Sequence, residues 1–176
     1  MKRFSKKWII SKVLIYLLIY SILHFLYDLI PVLPIALISG TNESIFTHMK
    51  IGFYAYFFTC LVDYQITKTQ IESKNTYFWN TLLMSSLMPL FLFALWYILP
   101  VFLEHLEPMW FELTYSFLIL VINGIMAANL EDSYSKTEYS KNTKIIILLL
   151  FISSIIIYSG YTFKTPYIDV FYIPIL

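Results

Sequence analysis

Residues 8–30 read WIISKVLIYLLIYSILHFLYDLI. As a helix rising 1.5 Å per residue, this stretch is about 34 Å long, enough to cross a hydrocarbon core of about 30 Å. The preceding MKRFSKK resembles the basic head of a secretory leader. The apolar part is too long for one, however, and no A-x-A-like cleavage site follows, so the stretch reads as a first membrane span. Its polar residues are ordered: Lys12, Tyr16, Tyr20, His24 and Asp28 recur at four-residue steps. On a helix they form one slowly drifting stripe. Such a stripe is costly against lipid and therefore should face a bundle interior or a wet cavity. The predicted fold class is an all-α, polytopic transmembrane helical bundle.

The rest of the chain extends this reading. Further spans are expected at about 51–67, with the helix beginning earlier near Asn42, and at 78–103, 111–130 and 145–163. That makes five spans in a single integral membrane domain, residues 1–176. PVLPIALIS, residues 31–39, is too short to cross and holds two prolines, so it is expected to be interfacial or partly re-entrant. KTQIESKNTY (68–77) and EDSYSKTEYSKNTK (131–144) are polar connections, and no internal repeat is visible. Pro89 falls within the third span, where a kink is expected, with Ser85 placed to help satisfy the freed carbonyl.

Composition excludes several classes. Apolar residues make up 59% and charged residues 13%, with a mean hydropathy of +0.72. That is about half the usual charged share of a soluble domain, so the lipid bilayer is the expected solvent and partner. A lone cysteine, Cys60, excludes an intrachain disulfide and any multi-cysteine metal site. A net charge of +1 argues against nucleic acid as a partner.

Orientation follows from the basic residues. Lys2, Arg3, Lys6, Lys7, Lys12, Lys68, Lys74, Lys136, Lys141 and Lys144 fall on one side; Lys50 and Lys164 fall on the other. The N-terminus is thus expected in the cytoplasm and the C-terminus outside, with the cell membrane as location. Trp8, Trp79, Trp96 and Trp110 lie near span ends, as an aromatic belt requires.

The external side then collects the chemistry: His24, His48 and His105, with Asp28, Glu43, Glu104, Glu107, Glu112 and Asp169. Positive-inside bias alone leaves acids outside, but it explains His24 and Asp28 less well because both lie within a span. At i and i+4 these two can pair, and the carboxylate would orient the imidazole; an interhelical hydrogen-bond patch is the competing reading. In GTNESIFTHMK, residues 40–50, Thr41 or Asn42 suits an N-cap and Glu43 suits a positive helix start. Ser44 and His48 share a helix face and could form a nucleophile–base pair, with Glu43 assisting. Glu43 and His48, five apart, share a ligand only if Glu43 sits on the uncoiled cap. The N-x-S pattern at Asn42 is also a glycosylation acceptor in a secretory pathway. The candidate site is His24, Tyr27, Asp28, Asn42, Glu43, Ser44, His48 and Lys50, with Tyr20, Glu104, His105 and Asn123 as a second tier. Asp63 reads as an interfacial ion pair with Lys68. Asn123-Gly124 reads as close helix packing with an interhelical hydrogen bond, or as a cavity lining. The acids around His105 read as a solvated loop that could also donate to a divalent cation.

LHFLYD (23–28) together with TNESIFTHMK (41–50) resembles an uncharacterised multi-pass membrane protein family, domain of unknown function family 6512. Its members show an H-F-x-Y-E stretch and then N-E-S-x-W-E-H-x-K. Asn42, Glu43, Ser44, His48 and Lys50 match position for position; Asp28 stands for Glu, and Phe46-Thr47 replaces Trp-Glu. TFKTPYIDVFYIP (162–174) resembles the family's ending, with Tyr167 in place of a His. The resemblance covers most of the chain in order and spacing. It implies a shared architecture and a common external site, and no substrate. Thr47 and Tyr167 lack groups that a metal site would use, which weighs against a metal in this chain.

Three functions fit these residues. One is an external-side polar cavity, walled by spans one and two, that binds or translocates a small polar or cationic ligand. Asp28 and Glu43 would supply charge and the imidazoles would gate by protonation. Five spans are few for a carrier, which implies a homo-oligomer. A second is an intramembrane hydrolase or transferase acting on a lipid or lipid-linked substrate, with Lys50 holding an anionic head group. A third is an accessory or structural membrane subunit. The sequence demands no cofactor, a divalent metal being the one candidate, and it leaves open whether the chain is an enzyme.

Overall fold

The structure is a computed structural model and describes residues 3–102 and 108–172. Five of its helices are long and apolar enough to cross a membrane. In chain order the α-helices are α1 (Lys6–Leu29), α2 (Leu33–Ile38), α3 (Ile45–Thr67), α4 (Lys74–Trp96), α5 (Ile98–Phe102), α6 (Met109–Ser133) and α7 (Lys141–Phe163). Single 3-10 turns follow α3, at Lys68–Gln70, and close the described chain, at Asp169–Phe171.

Four of the five long helices begin the same way. Ser5, Ser44, Ser73 and Ser140 sit in extended backbone, and each hydroxyl accepts the backbone N–H three residues on, from Trp8, Thr47, Thr76 and Thr143, at 3.1–3.3 Å. Each cap satisfies one of the helix's otherwise unpartnered amides. A serine between a polar turn and an apolar run therefore fixes where each helix starts. α6 begins at Pro108 without a side-chain cap.

The long helices alternate in direction, and α1, α3, α4 and α6 close into a ring, each packing on the next. α3 is the most enclosed of them, and α7 packs outside the ring. The ring encloses Tyr16, Tyr20, Ile51, Tyr56, Met84, Met88 and Ile119. Outside it, Phe53 and Phe57 of α3 meet Phe151 of α7 at 5.2 and 5.4 Å between ring centres. The C-terminal turn folds back so that Phe171 lies 4.4 Å from Phe46 at the start of α3. The outer surface is apolar: Ile10, Leu14, Leu18 and Ile22, one face of α1, are all more than half exposed. The opposite face carries Lys12, Tyr16 and Tyr20, all buried. The Lys12–Tyr16–Tyr20 part of the polar stripe thus faces the bundle interior, as a helix with apolar surroundings requires, while His24 is half-buried and Asp28, at the end of the stripe, is exposed.

Several expectations need correction. The second long helix starts before the apolar run, as expected, at Ile45, but its cap is Ser44 rather than Thr41 or Asn42. The third ends at Trp96; residues up to 102 form the separate α5. Pro89 lies inside α4, and the Ser85 hydroxyl donates to Thr81 O of the preceding turn rather than helping the carbonyl that the proline frees. Trp8 is 1% exposed and so is no belt residue. Residues 33–38 form a short helix, α2, that packs on α7, α1 and α3. Asn123 behaves as packing: its side-chain amide donates to Met88 O at 3.1 Å, and Gly124 lies against Tyr16 and Val13.

Gly40 holds the connection between α2 and α3 against α1. Its amide donates to Leu23 O at 3.0 Å, and a Cβ there would stand 2.7 Å from His24 O. The clash is with backbone and cannot be relieved by rotating a side chain. Gly40→Ala is expected to cost about 1–3 kcal/mol, read as a lowered thermal midpoint in detergent. Gly160 is the control: it lies inside α7, and an added methyl group would meet nothing within 4 Å. Gly160→Ala should leave stability unchanged or raise it by up to about 1 kcal/mol.

Candidate functional site

The end of the bundle where α1 finishes and α3 starts gathers three groups from three segments. His24 comes from the last turns of α1, His48 from the first turn of α3, and Glu43 from the connection between them. Asn42 makes this possible. Its side-chain oxygen accepts the Ser44 amide at 3.0 Å and the Thr47 hydroxyl at 2.7 Å, which holds the chain in a turn just before the helix. Glu43 therefore sits on uncoiled backbone and can reach a residue five positions on. Its Oε2 lies 3.4 Å from His24 Nε2 and 3.5 Å from His48 Nε2.

The two imidazoles stack with centres 5.3 Å apart, and Trp96 of α4 lies parallel to His48 at 6.3 Å. Tyr20, one turn deeper in α1, holds His48 Nδ1 at 2.9 Å through its hydroxyl. Both nitrogens of His48 thus have partners. His24 Nδ1 is buried with no hydrogen-bond partner. The carboxyl of Glu43 is held below its ordinary value, first by the hydrogen bond from His48, against a smaller opposing effect of partial burial, and then by the nearby His24 charge.

The other candidates take different places. Ser44 is 1% exposed and its hydroxyl goes to Thr47, at 3.2 Å from Thr47 Oγ1, so it is a helix cap and not a nucleophile activated by His48. Lys50 is buried; its Nζ donates to Ala36 O at 2.8 Å and Thr162 Oγ1 at 3.1 Å, tying α3 to α2 and α7 rather than offering a charge to a head group. Asp28 is exposed and acts on His24 only through space, so the imidazole's partner is Glu43 instead. Tyr27 is half-buried beside it. Asn123 lies in the ring interior, bonded to α4. Glu104, His105 and Glu107 lie outside the described residues, as does the side chain of Asp169.

The ligating atoms of His24, Glu43 and His48 all lie within 4.8 Å of one another. Two imidazole nitrogens and one carboxylate oxygen suit zinc, iron, nickel or copper, and three protein ligands leave coordination positions open. A hydroxyl on the far nitrogen of a ligating His fixes its ring and tautomer, which is the position Tyr20 holds toward His48.

A second cluster, at the opposite end, escaped the sequence reading. Lys12 of α1 is 2% exposed; its Nζ lies 2.5 Å from Glu131 Oε2 of α6 and 3.4 Å from Asp63 Oδ2 of α3. Asp63 also accepts the Trp8 indole N–H at 2.8 Å and the Tyr77 hydroxyl at 3.1 Å. Glu131 also accepts from Tyr56 at 2.9 Å and from the Cys60 thiol at 3.2 Å. Arg3 stands 4.0 Å from both carboxylates. The ion pair expected between Asp63 and Lys68 is replaced by this network. The missed signal was one acid in each of two apolar spans, at the same end as Lys12.

Two outcomes follow from these geometries. Because the folded-state pKa of Glu43 is depressed, its contribution to stability is present above the ordinary carboxylate value of 4.5 and is lost as pH falls through the lower folded value. The gap in thermal midpoint between the native chain and Glu43→Gln should therefore be full above that value and close below it. At the other end, Lys12→Met leaves two buried carboxylates with Arg3 as the one remaining cation among the described residues. Its expected cost is about 3–5 kcal/mol, which Glu131→Gln in the same chain should partly restore in thermal or denaturant unfolding.

Comparison with known proteins yields a family and no activity. No curated protein and no solved structure matches the chain. Residues 1–175, a range that covers His24, Glu43, His48 and most of the C-terminal segment, match the model of a family of unknown function, DUF6512. The chain belongs to this family.

Proposed function

We propose that the chain is a multi-pass integral membrane protein of the cell membrane that binds a divalent transition-metal ion at His24, Glu43 and His48. The observation that carries this reading is the convergence of those three ligating atoms from α1, the connection and α3. The apolar outer surface supports the bilayer setting. The excess of lysine and arginine at the Lys12 end supports placing that end, with the N-terminus, in the cytoplasm. The metal site then opens on the external side. The ion is the small cationic ligand, held for binding or for translocation, and translocation by five spans would take a homo-oligomer.

The chemistry is simple. Glu43 supplies the negative charge, the imidazoles supply nitrogen donors, and Tyr20 fixes His48. Glu43 is 63% exposed at its side chain, so an ion can enter from the aqueous face without opening the bundle. Ser44, capped and turned away, gives no support to a serine-nucleophile reaction at this place.

Purified protein in detergent, freed of metal and titrated with Zn²⁺ by calorimetry, is expected to bind about one ion per chain. His24→Ala and His48→Ala should abolish that binding, and Tyr20→Phe should weaken it about 10–100-fold. Absence of saturable binding of zinc, nickel or cobalt to the folded protein would overturn the reading.

A further inference from the structure

The Lys12 end carries a cleft of about 630 Å³, whose wall includes Arg3, Phe4, Gln70, Tyr77, Asn80 and Lys136. Arg3 is part of that wall, and behind its guanidinium, outside the lining itself, lie the carboxylates Asp63 and Glu131, each 4.0 Å away. These are 4% and 2% exposed and, with Lys12, carry one more negative than positive charge. The compensating cation is Arg3. Its guanidinium carbon lies 4.5 Å from the Phe4 ring centre, 5.7 Å from Trp8 and 4.7 Å from Tyr77. Aromatic faces around a cation, over buried carboxylates, are what recognise an organic cation.

Arg3 fills this place loosely. Lys12 approaches Glu131 to 2.5 Å, while Arg3 stands off both acids at 4.0 Å, beyond hydrogen-bonding distance. Its Nε is buried without a partner although its side chain is only 10% exposed. A guanidinium has five donors in a rigid fork, and this one does not engage either carboxylate with that fork. The backbone that delivers it is also strained. Phe4 has φ 60°, and among the described residues it is the one non-glycine in the left-handed region. That conformation costs an ordinary residue roughly 1–2 kcal/mol. The segment turns back on itself before Ser5 caps α1, and so lays Arg3 into the cleft.

We propose that the place Arg3 fills at the wall of this cleft, among aromatic rings and in front of Asp63 and Glu131, is a binding site for a guanidinium-bearing organic cation, with Arg3 as its built-in and displaceable occupant. The incoming cation takes the positive charge the two acids require, and the N-terminal segment swings out and relaxes at Phe4. Trp8 and Tyr77 stay in place, because their polar groups are bonded to Asp63. The site lies at the opposite end from His24, Glu43 and His48 and does not depend on a metal there.

The test is chemical rescue. In detergent, Arg3→Ala should have a lowered thermal midpoint, and ethylguanidinium chloride at millimolar concentration should raise it by several degrees in a saturable manner. Equal KCl should not do so, and the native chain should respond much less because Arg3 occupies the place. Asp63→Asn or Glu131→Gln added to Arg3→Ala should remove the response. If Arg3→Ala does not yield folded protein, Arg3→Lys provides the same comparison. Calorimetry should show ethylguanidinium binding at least tenfold more tightly to Arg3→Lys than to the native chain. A response matched by KCl, a response that survives loss of both acids, or equal affinity of Arg3→Lys and the native chain would each overturn the proposal.

Discussion

One ammonium group ties three helices together. Lys12 of α1 meets Glu131 of α6 and Asp63 of α3 inside an apolar ring, where an unpaired charge would be costly. Charges in such a place are retained only if each has partners, and here they do: two hydroxyls, an indole N–H and a thiol complete the carboxylates. Because the partners come from α1, α3, α4 and α6, the network sets the register of the whole ring. A shift of α1 along its axis by one residue would turn Lys12 away and bring Val13 into its place.

That register carries to the far end of α1. Tyr16 packs against Gly124 and Tyr56, Tyr20 packs on Tyr16, and its hydroxyl reaches His48. His24 follows one turn later. A single face of one helix thus begins in an ion-pair network and ends in an imidazole. The position of His24 relative to His48 is therefore fixed by packing along about 18 Å of helix, and Gly40 closes the connection onto α1 so that Glu43 can reach both rings.

Much of this could be read in the sequence and some could not, for physical reasons. The helical class, the number of long apolar helices and the inward direction of the Lys12–Tyr16–Tyr20 stripe follow from length and four-residue spacing, both local properties. The uncoiled position of Glu43 was the stated condition for its sharing a ligand with His48, and the Asn42 turn supplies it. Misreadings arose where a side chain had a nearer partner than the one its sequence spacing offered. Ser44 bonds the amide of Thr47, His24 finds Glu43 before Asp28, and Lys50 finds a carbonyl of α2. The Lys12 network was missed because its members lie on three helices, 51 and 119 residues from Lys12 in sequence. Spacing within one helix cannot report such a meeting. Only matching the depth of each acid from the same end of antiparallel helices could have done so.

The two ends differ in how their charge is balanced, and this separates their chemistry. At the Lys12 end the carboxylates are buried and matched by two cations, so the network is complete as long as Arg3 remains. At the other end Glu43 is largely exposed and faces two imidazoles, which in their neutral forms offer lone pairs and no charge. Lys50, the cation nearest in sequence, is committed to Ala36 and Thr162. A carboxylate with two nitrogen donors and no bonded cation is the arrangement proposed to take a metal ion, whereas the carboxylate pair already holding an ammonium and a loosely seated guanidinium is proposed to exchange the latter alone. The same residue types, acid against base on neighbouring helices, thus give an open ligand set at one end and an exchangeable ion pair at the other. Burial and the number of cations within reach decide which.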